Sequence, residues 1–483
     1  MKVRSEKILV AVAAVLAMAA AGSANATNGY LTHGVGTKSK GVAGSNVADP
    51  QEVAIVASNP AGIAFVGERL EVGLGAFAPM RDYRTTPSQL PDVAYSMGAF
   101  TIGDSVSTPR TGNSISSENE LFFLPYVAKS WKRGEQGTVA LSFYARGGMN
   151  TEWQGGSATF DPDGPGPAPT LVFPGTYGGA FTGNAGTAGV DLMQGFLNAA
   201  YAWNNPERTL SLGAAAIVGI QRFRAIGVMA FAPYTKSFAE SGGTVMPSNL
   251  SNNGYDWSYG IGGSVGLQWS PNEKFGFAVG YTSEIMMTEF DKYKDLFAQK
   301  GGFDVPAHLD VGVAFKPTGG LTLTAGVQQI FYEGVDSVSN PIQNIFGCPT
   351  AGMGGTDLES CLGGNRGAGF GWQDMTVYSV GAAWQYGEDW TFRVGASTGD
   401  QPITGGSDPM KSQMTFNILA PGVMEEHYTV GFTRKLGSGN EFNMSFMYAP
   451  KVTVSGVQNF DPTQNVSFRM DQWDLEFSYA WGK

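Results

Sequence analysis

Charge is scarce in this sequence of 483 residues. Only 15% are Asp, Glu, Lys or Arg, against about 25% in an ordinary soluble domain. The 30 basic residues are outnumbered by 41 acidic ones, giving a net charge of −11. No Lys/Arg cluster occurs, so no nucleic-acid partner is expected. Cysteine is almost missing. With Cys348 and Cys361 alone, a disulfide-dense scaffold and a Cys-rich metal site are both excluded. The three histidines, His33, His308 and His427, are far apart in sequence, and no phosphate-binding loop is present, so neither a metal nor a cofactor is expected. Beyond the first 26 residues no run approaches about 18 consecutive apolar residues, which excludes a transmembrane helix. Glycine is abundant instead, at 68 residues, about twice the usual share. These glycines have no period of three, so the chain is not collagen-like. Aromatics make up 12%, too many for a disordered chain.

The N-terminus reads as a signal peptide over residues 1–26. Lys2, Arg4 and Lys7 precede the apolar run Ile8–Ala21, and Ala24-Asn25-Ala26 has the small-residue pattern of a cleavage site. The mature chain is expected to start at Thr27 and to leave the cytoplasm. An exported soluble protein and a transmembrane β-barrel then remain.

Period-two alternation runs through most of the mature sequence. In the last segment Trp473, Leu475, Phe477, Tyr479 and Trp481 alternate with Asp474, Glu476, Ser478 and Ala480. Such spacing puts apolar side chains on one face of a strand and small or polar ones on the other. Six connections are short turns, at 132–137, 204–207, 271–273, 317–320, 387–389 and 437–440. Seven are long, at about 83–117, 151–190, 225–253, 291–304, 335–371, 401–423 and 455–466. Thirteen connections join fourteen strands, with short turns at one end and long loops at the other, as in outer-membrane barrels. Trp131, Trp203, Trp269, Trp384, Trp390 and Trp481 fall near the short turns, as an aromatic girdle would. Trp153, Trp257, Trp372 and Trp473 would form the second girdle; a set of core tryptophans is the competing reading. Residues 27–68 lack alternation and precede the first strand. They read as a plug inside the lumen or as a disordered tail, and the apolar Val53–Ala57 and Ile63–Val66 favour burial. The barrel takes residues 69–483.

The N-terminal segment carries Gly34-Val35-Gly36-Thr37-Lys38-Ser39-Lys40-Gly41, Ala48-Asp49-Pro50 and Asn59-Pro60-Ala61-Gly62. Later come Phe370-Gly371-Trp372-Gln373-Asp374, Trp390-Thr391-Phe392-Arg393-Val394-Gly395, Pro421-Gly422 and Glu425-Glu426-His427-Tyr428. With the strand count, these blocks resemble the FadL/TodX family of outer-membrane transporters for long-chain fatty acids and other hydrophobic compounds. The resemblance covers the whole mature chain. It implies an all-β transmembrane fold, a 14-stranded antiparallel barrel plugged by an N-terminal hatch. It further implies ligand capture on extracellular loops, a pocket in the lumen, and sideways release into the membrane through a gap at a kink in the third strand. Asn59, Pro60, Ala61 and Gly62 would form the hatch turn beside that gap. The family tends to end on an aromatic residue, whereas here Gly482 and Lys483 follow Trp481.

The third strand contains Arg146-Gly147-Gly148, which reads as a bulge or as a flexible strand end. Inward positions read as Gly, Ala, Ser, Thr and Asn with few charges, unlike a diffusion porin. A fatty-acid carboxylate would want a basic partner. Arg146, Arg222, Arg224 and Arg393 are candidates, each also readable as a structural ion pair. Phe231, Tyr234 and Phe238, with Tyr293, Leu296 and Phe297, could capture ligand on the outer face, or could pack the loops together. Cys348 and Cys361 are expected to form a loop disulfide. Gly262-Gly263-Ser264-Val265-Gly266 matches a nucleophile pattern but lies within an alternating strand, so no enzyme is expected. Asp161-Pro162-Asp163-Gly164 reads as a solvated loop rather than a calcium site. The expected protein is a monomeric, passive channel in the outer membrane of a Gram-negative bacterium. It would meet a hydrophobic small molecule and membrane lipid, most simply a long-chain fatty acid. Uptake of aromatic hydrocarbons, or a structural or adhesive barrel, are the alternatives.

Overall fold

The computed structural model describes residues 28–89, 101–102, 114–160, 171–178 and 186–482. The expected signal peptide and the Asp161–Gly164 loop lie outside the described residues. Fourteen long strands form the wall: β1 (Arg69–Thr85), β2 (Phe122–Arg133), β3 (Gly137–Asn150), β4 (Thr187–Asn204) and β5 (Leu210–Ile226). β6 (Asp256–Asn272), β7 (Phe275–Thr282), β8 (His308–Thr318), β9 (Leu321–Ile330) and β10 (Met375–Tyr386) follow. β11 (Trp390–Gly399), β12 (Glu426–Leu436), β13 (Asn440–Val457) and β14 (Asn465–Gly482) complete it. Each pairs antiparallel with its neighbours, and β14 returns to pair with all of β1, from Arg69↔Gly482 to Thr85↔Val466. Closure of β14 on β1 removes the outer edges of the sheet, so strands satisfy their backbone within the wall except where β2 and β3 part.

Alternation decides which way each strand faces. On β14, Gln472, Asp474, Glu476 and Ser478 are buried inside while Phe477 and Trp481 are exposed outside. Val218, Tyr259, Ile261, Val265, Tyr281, Val313, Tyr378, Val380, Val394 and Val430 continue the exposed outer band. A band of this extent is a surface for lipid rather than water. Trp203, Trp269, Trp384 and Trp481 stand exposed near the short turns. The second set of tryptophans is only partly a girdle. Trp257 faces outward, but Trp153 and Trp372 are fully buried among the long loops. There their indole N–H groups reach Ile418 O and Asn417 Oδ1, which lipid could not offer.

The long loops pack over one end of the barrel around a continuous apolar core. It includes Phe231, Phe290, Phe303, Tyr332, Trp372, Phe416 and Ile418. Cys348 and Cys361 are joined by a disulfide within it.

Residues 28–66 run inside the barrel and are almost wholly buried. They form short turns of helix: Thr37–Lys40, Ser45–Ala48, Val53–Ala57 and Pro60–Phe65. Val53, Ile55, Val56 and Ile63 pack on Ala128, Ala140, Ala200, Ala202 and Ala215 of the wall. Burying each such side chain contributes about 1.5–3 kcal/mol, and only small wall residues leave room for it. Gly266 and Gly280 show the limit, since a Cβ there would overlap Asn59 Oδ1 and Ser58 O. The expectation of a largely uncharged inner face is not met. Glu71, Arg81, Arg146, Asp310, Arg393, Asp474 and Glu476 all point inward and are buried. Several of these charges are balanced by the N-terminal segment rather than by water.

Candidate functional site

The wall has a break between β2 and β3. Their pairing ends at Tyr126↔Tyr144. Above that point β2 continues against β1 through Phe122, and β3 continues against β4 through Asn150. Between Ala145 and Gly147 the β3–β4 register shifts by one residue, so Arg146 is the extra residue of a bulge. The exposed edge of β3 is taken up by the N-terminal segment. Thr32 N–H donates to Arg146 O at 3.0 Å, Gly148 N–H donates to Tyr30 O at 3.1 Å, and Leu31 bridges Gly147. A Cβ on Gly147 would meet Gln194 Oε1 at 2.5 Å and come within 3.3 Å of Leu31 Cδ2 and Tyr30 O, so a side chain there would displace Gln194 and press on the N-terminal segment.

Behind the break lie two small cavities that share Arg146 in their linings. One is apolar, lined by Leu31, Tyr144, Phe196, Ile217, Ile285 and Val305. The other, of about 30 Å³, is polar and lined by Asn28, His33, Asp310, Gln328 and Ser379. That volume holds one or two waters and no organic ligand. Arg146 Nη1 lies 2.8 Å from His308 Nε2, His308 Nε2 is 3.6 Å from Asp310, and Gln328 Nε2 donates to Asp310 Oδ1 at 2.8 Å. His33 stacks on His427, with ring centroids 5.9 Å apart, and His427 Nδ1 is 3.0 Å from Ser397 Oγ. The three histidines of the chain thus meet around one buried polar region. Burial, and then the nearby Lys40 ammonium, pushes the His33 imidazole down to about 3, so the ring is neutral at pH 7.

Asn59 and Pro60 anchor the segment below the break. Asn59 caps the short helix Pro60–Phe65 by accepting Ala61 N–H at 3.0 Å, with Pro60 in the first turn. Its amide also donates to Leu267 O at 3.2 Å, and Ser211 Oγ donates to Ala61 O at 3.0 Å. Ala61 and Gly62 are fully buried there.

The remaining candidates are placed otherwise. Arg222 and Arg224 share a strand face with the exposed Val218 and point out of the barrel. Both guanidiniums lie over Tyr255, at 4.4 and 4.9 Å, and Arg224 reaches Asp191 at 4.0 Å. Arg224 therefore lines no lumen pocket; the odd-numbered inward face of β5 excludes it. Arg393 bonds Thr433 Oγ1 and Gln51 Oε1. Phe231, Tyr234, Tyr293, Leu296 and Phe297 are buried in the loop core, and Phe238 is half-buried. They present no exposed capture patch, because tilted and edge-to-face ring contacts with Phe223, Phe416 and Phe460 help cover them. Ser264 sits mid-strand on β6, away from any strand-to-helix turn. Among the described residues no group of three His, Cys, Asp or Glu is placed to hold a metal. Sequence reasoning missed the pairing of Tyr30–Thr32 with the β3 edge, and the contacts of His308 with Arg146 and of His33 with His427. A three-residue pairing is too short for alternation to reveal.

No family model matches the sequence, and no curated protein matches it. Solved structures do. A FadL homologue of Pseudomonas aeruginosa aligns with a TM-score of 0.58 at 14% identity, covering 94% of this chain and 99% of that one. The toluene transporter TodX of P. putida aligns at 0.58 and 14%, covering 93% and 99%. The Ralstonia pickettii toluene transporter TbuX aligns at 0.55 and 15%, covering 93% and 98%. In fold, the chain is a fourteen-stranded barrel of the FadL and TodX type.

Proposed function

We propose that the protein is a passive outer-membrane channel for hydrophobic compounds, with the N-terminal segment as its hatch and the break beside β3 as its side exit. The break carries this reading. A wall that stops pairing at Tyr126↔Tyr144, with a register shift at Arg146, offers a route from lumen to lipid. On its outer side Phe143, Ala145, Met193, Ile220 and Trp257 line a shallow apolar cleft. A solute moving between these surfaces stays out of water and keeps about 0.8 kcal/mol per CH₂. Neither inner cavity admits a ligand as it stands, so transport requires Tyr30–Thr32 to leave the β3 edge.

Among hydrophobic solutes, a long-chain fatty acid is favoured by the Arg146 guanidinium at the boundary of the apolar cavity, where a carboxylate could be met. An aromatic hydrocarbon would use the same route without it. The test is uptake of labelled oleate and of a labelled alkylbenzene by cells carrying wild type, Gly147→Val or Arg146→Gln. Gly147→Val is expected to change uptake of both, and Arg146→Gln to lower oleate uptake alone. Equal uptake of both solutes with and without the protein would refute the channel.

A further inference from the structure

At the short-turn end the barrel opens into a vestibule of about 410 Å³, bounded by the N-terminal segment and the inner faces of β1 and β8–β13. Its charge opposes that of the molecule. Lys38, Arg69, Lys316, Arg393 and Lys435 line it against Asp49 and Glu441, in a chain whose net charge is −11.

These two carboxylates do not balance the five cations. Glu441 is shared, with Lys38 Nζ and Arg69 Nη2 each at 2.5 Å. Asp49 takes Lys316 at 3.0 Å. Arg393 is buried, yet its hydrogen bonds go to neutral groups, Thr433 Oγ1 at 2.7 Å and Gln51 Oε1 at 2.5 Å, and its Nε has no partner. Lys435 stands exposed at the rim. Two further acids lie behind the lining and are already engaged. Glu71 accepts Val53 N–H and meets Arg69 Nε, while Glu52 accepts the N–H groups of Lys38 and Ser39. Glu52, Glu441 and Asp49 act on the buried Arg393 guanidinium electrostatically without an ion-pair contact, and its planar fork suits carboxylate and phosphate oxygens.

We propose that this vestibule binds a compact multivalent anion, a phosphate or a small polycarboxylate, and that the bound anion ties the N-terminal segment to the wall. Lys38 and Gln51 belong to the segment; Arg69, Arg393 and Lys435 belong to the wall. One anion touching both sets links them without a new protein contact. The lining is mostly polar, with Pro50, Phe65, Val66 and Ala383 as its apolar members, and suits a compact anion better than a hydrocarbon tail.

The test is hydrogen exchange over residues 37–53 in the full chain in detergent, titrated with inorganic phosphate, with citrate and with a hexaglutamate peptide. Ionic strength is held constant with sodium chloride. Phosphate or citrate is expected to slow exchange saturably. Arg393→Gln with Lys435→Gln should raise the half-saturating concentration about tenfold or more, the loss of two charge-assisted contacts. Lys435→Gln alone, at an exposed position, should show a smaller shift in the same direction, and heat-modifiable gel mobility reports that each barrel is closed. Chloride acting as well as the multivalent anions, or variant curves that overlie wild type, would overturn the proposal. A response to the peptide alone would also overturn it, in favour of an acidic protein partner.

Discussion

His33 is held neutral inside the lumen, and that has a thermodynamic sign. Its folded-state value near 3 lies below the ordinary 6.5. Between those values the unfolded chain binds a proton that the folded chain does not, so stability falls as pH drops below about 6.5. From pH 6.5 to 5 the loss from this one group is about 1–2 kcal/mol. We expect chemical denaturation to show His33→Gln losing less stability than wild type over that interval; parallel pH profiles would contradict it. Little at this scale was legible beforehand. Asn59-Pro60-Ala61-Gly62 is marked as a turn by the family resemblance alone; the Asn59 cap and Pro60 in the first turn give it a local physical basis. Reading Arg222 and Arg224 as carboxylate partners overlooked strand parity, since both fall on the face of β5 opposite the buried Ile217. The partners of His33 and His427 were not legible, because a stacking contact between positions 33 and 427 leaves no mark in local sequence.

At the scale of elements, wall and loops obey different rules. Alternation and turn residues located the fourteen strands and sorted their connections, since a strand with lipid on one side and a filled lumen on the other must alternate. Loops carry no such period, so the aromatics of 226–256 and 282–308 could be read equally as surface or as core. Their burial against Phe416 and Phe460 makes the cap a folded unit, with Cys348–Cys361 as its staple. The disulfide closes a sequence separation of 13 residues, worth about 3 kcal/mol in the chain-entropy account. Cys348→Ser with Cys361→Ser should therefore speed proteolysis within 335–371 while leaving the heat-modifiable barrel band unchanged. Loss of that band would show that the loops help hold the wall.

For the whole molecule, the low overall charge conceals a concentrated buried set. Lys40 Nζ meets Asp474 and Glu476 at 2.7 Å each, with all three side chains at 3% exposure or less. The acids were visible as polar positions on the last strand, but their partner lies 434 residues away. Sequence reading therefore took the inner face as nearly uncharged. Removing the cation strands two buried carboxylates, a cost of about 3–5 kcal/mol. Lys40→Met should loosen the N-terminal segment and raise single-channel ion conductance in planar bilayers; wild-type conductance would refute a plugging role for this contact. The seam between β1 and β14 adds an order of events. Lys38 and Lys40 are among the first residues of the described chain to be synthesised, whereas Glu441, Asp474 and Glu476 are among the last. Their ion pairs complete only when the ring does. A chain halted before β13 would keep the packing of residues 53–63 on β2–β6 but would leave Lys38 and Lys40 buried without their carboxylates.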